Sequence, residues 1–91
     1  MPRQMFHLVV EYSLGQEVTV TEIKTYLEKL LRDETANYVG FTSPSHERYL
    51  SGPAIVGHLI LDHPQMISAE TVQGYFTEEN PSFKISHIAK L

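Results

Sequence analysis

The chain has no cysteine. Disulfides, thiolate catalysis and sulfur-ligated zinc are therefore excluded. Basic residues are sparse too: 7 Lys and Arg stand against 11 Asp and Glu, for a formal charge of −4. No basic cluster exceeds two residues. The electrostatic footprint of a nucleic-acid binder is missing, and no nucleic-acid partner is expected. No apolar run approaches the roughly 18 residues of a membrane-crossing helix, so no membrane partner is expected. In the opening MPRQMFHLVV one Arg precedes a short apolar stretch, and Glu11 follows quickly. That is too short for the core of a secretory leader. A soluble, cytoplasmic chain is the expectation. No repeat, linker or low-complexity segment divides the 91 residues, which predicts one domain over 1–91.

What is there suffices for a core. Hydrophobic residues make up 42 %, with four Phe and five Tyr. A domain of this size sits near the lower end of comfortable stability, and sharing a core in an oligomer would help it. MFHLVVEY, residues 5–12, alternates as a strand, with Phe6, Leu8, Val10 and Tyr12 on one face and His7, Val9 and Glu11 on the other. From Thr19 the period changes: Val20, Ile23, Leu27, Leu30 and Leu31 recur at three and four residues, which predicts an amphipathic helix over 20–34. Thr19 and Glu22 stand in capping-box positions. NYVGF and ERYL read as two short strands, with TSPSH a turn or mobile loop between them because Ser-Pro disfavours helix. AIVGHLILD is apolar on both faces, as a central strand is. Ser68 is the expected N-cap of a second helix, with Ile67 and Val72 as its staple, Val72, Tyr75 and Phe76 as its buried stripe, and Asn80-Pro81 as its end. SFKISHI alternates as the last strand, which groups His87 with Phe83 and Ile85 as a core or interface histidine.

The order β-α-β-β-α-β predicts an α+β ferredoxin-like plait, an antiparallel sheet with two helices on one face. Its first and third strands lie in the centre and its other face is bare. Val9, Val56 and Ile60 place apolar surface on that face, which a partner or ligand normally covers.

Two segments also resemble a known family. SGPAIVGHLIL and SAETVQGYFTEENPSF, with Gly52-Pro53, Gly57 and the closing ENPSF at 79–83, are similar to the YCII-related family of the dimeric α+β barrel superfamily. The resemblance implies a plait that pairs back to back, closing two sheets into a barrel, as a homodimer or higher oligomer. It also implies a His–Asp pair in some members, with the His near the start of the first helix. This chain departs there: Asn80 holds the acid position, and TVTEIKTYL offers Glu22 and no His.

Within GHLILDH, His58 on the bare face is expected to approach His7 on the neighbouring strand, with Glu11 two places along. Two imidazoles and a carboxylate suit a transition metal such as zinc or iron, or acid–base catalysis. They are equally what half-buried strand residues bonded to neighbours or water look like. Asp62-His63 before Pro64 reads either as an oriented imidazole or as turn chemistry. Ser43, Ser45, His46 and Glu47 lie adjacent in sequence, whereas a hydrolase triad needs its base brought from elsewhere in the fold. Tyr38, Phe41 and Tyr49 flank that stretch, to line a ligand pocket or to pack the core edge.

Three functions are compatible with these residues. The first is a non-catalytic oligomeric module that binds a protein partner or small ligand through the open sheet face. The second is a small lyase, isomerase or cyclase of the dimeric-barrel kind, using His7, His58 and Glu11. The third is a metal-dependent protein using the same side chains. The first is favoured because no complete catalytic constellation is present, and no motif names a cofactor.

Overall fold

A computed structural model of the chain describes residues 2–32 and 37–91. Strand β1 runs over Arg3–Tyr12 and buries alternate residues, as its period demands: Phe6, Leu8 and Val10 are fully buried. Helix α1 spans Val20–Leu31. The Thr19 hydroxyl accepts the Glu22 amide at 3.1 Å, a cap that contributes about 1 kcal/mol. The helix buries Ile23, Leu27 and Leu31, one side of its apolar stripe. The predicted end at 34 lies outside the described residues.

Strand β2 covers Asn37–Tyr49 and β3 covers Gly52–Asp62. The expected pair of short strands around TSPSH is thus one long strand. The Ser-Pro sits in a bulge instead, where the register with β3 shifts between Thr42 and Ser45 and Ser43 takes φ of 52°. Sheet order explains why this is tolerated. The order is β2-β3-β1-β4, so β2 is an edge strand, and a proline without an amide donor is harmless there. Tyr49 pairs with Gly52, leaving Leu50 and Ser51 as the turn.

Helix α2 is a single short stretch, Ala69–Gln73, and strand β4 spans Phe83–Lys90. Ser68 caps α2 by accepting the Thr71 amide at 3.2 Å. The predicted continuation to Asn80 does not occur. Beyond Gly74, the Tyr75 amide donates to Val72 O and the Phe76 amide to Gln73 O, at 3.0 and 3.1 Å. These three-residue bonds tighten the chain out of the helical path.

All three neighbouring strand pairs are antiparallel, with β1 and β3 in the middle. The arrangement is α+β, four antiparallel strands and two helices, compatible with a ferredoxin-like plait. Phe6, Leu8 and Val10 of β1 and Ile55, Leu59 and Leu61 of β3 join Ile23, Leu27, Leu31 and Val72 of the helices in one core. Both helices therefore cover the same sheet face. Gly57 is part of that packing: a Cβ there would lie 2.5 Å from Cζ of Phe41, whose ring occupies the space.

A polar clip closes one end. Buried Gln4 accepts the Ile67 amide at 2.9 Å and Lys90 Nζ at 3.0 Å, and donates to Gln65 O at 2.7 Å. Lys90 Nζ also donates to Ile67 O at 2.6 Å. Every side-chain polar atom that this corner buries is satisfied.

Candidate functional site

The sheet face opposite the helices is covered by no element of the described chain. Its residues follow from the register. Across β1 and β3 the open-face pairs are Met5 with Ile60, His7 with His58, Val9 with Val56, and Glu11 with Ala54. On the other side β4 sets Ala89 beside His7, His87 beside Val9, and Lys84 beside Glu11. From β2, Thr42 faces His58 and Ser45 faces Val56. Directly opposed residues carry their Cβ atoms about 5 Å apart, so His7 and His58 are neighbours on the two central strands.

His87 joins them, which alternation from Phe83 did not indicate. The register of β1 with β4 shifts between Val9 and Val10, where Val9 pairs with His87 and Val10 with Ile85. Ser86 is the extra residue, and its hydroxyl donates to Val9 O at 3.3 Å. This bulge reverses the side-chain alternation beyond it. Ile88 goes into the core and His87 onto the open face, where its ring meets His7 edge-on at 6.3 Å and 65°. Of the two expectations for His87, core or interface, that one inserted residue overturns the core position.

Glu11 does not converge on the imidazoles. It lies four residues along β1 from His7, roughly 13 Å at the rise of a strand. Its carboxylate accepts a hydrogen bond from the Ser51 hydroxyl. Together with Ser82 and Lys84 it borders a polar recess of about 300 Å³ at the end of the sheet. Among the described residues, no three His, Asp or Glu side chains are grouped to hold a metal ion.

The apolar members of the face form its middle. Val9 is only 7 % exposed because Val56 and His87 flank it, whereas Met5 is 38 % exposed. Val56 and Ile60 are half-buried. Tyr38, Phe41 and Tyr49 are not brought together. Phe41 is in the helix-side core over Gly57, and Tyr49 is exposed at the far end of β2. Tyr38 packs half-buried beside that core. Burial, then the Glu28 carboxylate, push its hydroxyl pKa up, against a lowering contribution from the Phe41 backbone.

The remaining sequence candidates are engaged elsewhere. Ser45 donates to Glu47 at 2.9 Å, and His46 occupies the opposite side of the same strand. Asp62 binds Arg3 at 3.2 Å rather than orienting His63. The His63 ring instead accepts the Gln65 amide at 3.1 Å, the turn chemistry of the pair. No helix among the described residues is long and apolar enough to cross a membrane. Comparison with protein-family models, curated proteins and solved structures finds no match for this chain.

Proposed function

We propose that the chain is a non-catalytic oligomeric module whose open sheet face binds a second copy of itself. The observation that carries this reading is the composition of that face. Met5, Val9, Val56 and Ile60 form an apolar strip on the two central strands, with His7, His58 and His87 set into it. The charges at its ends suit self-pairing. Arg3 and Asp62 bind each other at one end, and Glu11 and Lys84 oppose each other at the other. Each end carries both signs, so a two-fold pairing of the face with itself meets no block of like charge. Four strands of 8 to 13 residues, about 4.8 Å apart with a rise of about 3.3 Å per residue, present on the order of 650 Å². That is close to the roughly 800 Å² per partner of a standard interface. Closing two sheets in this way is the dimeric α+β barrel implied by the resemblance to YCII-related proteins.

A binding role is favoured over catalysis by the separation of Glu11 from the His7–His58 pair. Native mass spectrometry with light scattering tests the proposal and reports any retained small molecule. The wild-type chain is expected at dimer mass, and a Met5→Glu, Val56→Glu double variant, at two of the more accessible apolar positions of the face, at monomer mass with an unchanged far-UV spectrum. A wild-type monomer at about 100 μM overturns the reading. So does a dimer indifferent to both charges.

A further inference from the structure

The early end of α2 has a consequence on the other side of the molecule. Five helical residues cannot cover the full length of β4, and the chain leaves the helical path after Gly74. Two adjoining cavities of about 430 and 380 Å³ remain between α1, the segment 74–82 and β4. Tyr26, Glu78, Glu79 and Asn80 border both. Volumes of this order are those of small-molecule sites.

The walls are aromatic. The Tyr26 and Phe76 rings lie parallel within 7°, 6.3 Å apart, and Phe83 meets Tyr26 edge-on at 5.1 Å. Tyr26 and Phe76 are half-buried, so part of each ring faces the groove. The Tyr26 hydroxyl donates to Glu78 O at 2.5 Å, which fixes that ring in place. Around the rim, Glu22, Glu78 and Glu79 stand against Lys29 and Lys84. Lys29 is committed to Glu78 at 3.1 Å. Glu79 has no ion pair among the described residues. Burial, then Glu78 and Glu79, raise the pKa of the Tyr26 hydroxyl, the response expected where the local potential is negative.

We propose that this groove binds an organic cation, an alkylammonium or quaternary ammonium group with an apolar body. The electron-rich faces of Tyr26 and Phe76 attract a cation in a way they do not attract a neutral group of the same shape. Glu79 supplies the countercharge, and Phe83 and Ile85 contact the apolar part. The site lies on the helix side of the sheet and is independent of the pairing through the open face.

The test compares choline with its uncharged carbon isostere, 3,3-dimethylbutan-1-ol, by NMR titration of the full chain. Choline is expected to shift the ring resonances of Tyr26 and Phe76 at millimolar concentration, with the isostere about tenfold weaker. Glu79→Gln removes one charge at an exposed position without altering the fold. It is expected to weaken choline about fivefold and leave the isostere unchanged. Phe76→Leu, which keeps an apolar side chain there, is expected to lower the preference for choline over the isostere. Equal binding of the two probes overturns the proposal, because the groove is then merely apolar. No shift at about 50 mM choline, or a Glu79→Gln variant that binds it as the wild type does, overturns it as well.

Discussion

The two faces of the sheet are built from alternate residues of the same strands, yet they differ in kind. On the helix side, Phe6, Leu8, Val10, Ile55, Leu59 and Leu61 are all fully buried and touch one another and the helices. On the open side, Met5, Val56 and Ile60 are interleaved with three imidazoles and stay partly exposed, and only Val9 is buried among them. A buried aliphatic side chain contributes about 1.5–3 kcal/mol to the fold. The helix face therefore specifies the protomer. The open face adds little to a single chain, and what its apolar atoms can contribute is realised only when something covers them.

Two residues of β1 expose that difference most directly. Leu8→Ala empties a fully buried site opposite Gly57 and is expected to cost about 3 kcal/mol at any protein concentration. Met5→Ala, on the open face and 38 % exposed, is expected to cost about 1 kcal/mol in dilute solution. A further loss should appear only at concentrations where the wild type pairs. Denaturant unfolding at two concentrations separates these cases. If Met5→Ala shows no concentration dependence, the open face is not an interface in solution.

An effect smaller than that of Leu8→Ala is expected at Gly57, also on the helix face. A methyl group there meets Cζ and Cε1 of Phe41 at 2.5 and 2.7 Å, and Thr42 O at 3.0 Å. Gly57→Ala should cost about 2 kcal/mol through overpacking. Phe41→Leu in the same chain should recover part of that loss, leaving the contact with the Thr42 backbone. A double-mutant cycle measures the coupling. Simple additivity would mean that the ring moves aside freely and that this part of the core is looser than its burial implies.

The contrast between faces also marks what could be read from residues alone. Period-two alternation in β1 and the capping residues Thr19 and Ser68 act locally, so their effects were legible. The His7–His58 pairing follows from those strands being central neighbours. The rest depended on partners distant in sequence. Ser43-Pro44 looks like a break until β2 is known to be an edge strand, where a bulge accommodates it. The stripe of Val72, Tyr75 and Phe76 fits a longer helix equally well, and only the turn bonds after Gly74 end it early. Glu11 shares the face of the histidines, but four residues of extended chain set it apart from them.

An effect of only about 1 kcal/mol is also expected from deleting Ser86, and it bears directly on how the two faces are sorted. Without that residue, Phe83, Ile85, Ile88 and Lys90 fall on one side of a regular strand, with Lys84, His87 and Ala89 on the other. These are the same sides they take around the bulge. The deletion should therefore lose the Ser86 to Val9 hydrogen bond and some local twist, for about 1 kcal/mol, while His87 keeps its place beside His7. Thermal unfolding gives the cost, and NMR contacts between the two rings report the face. A loss above about 3 kcal/mol, or disappearance of the ring contact, would mean that His87 reaches the open face by some route other than the inserted residue.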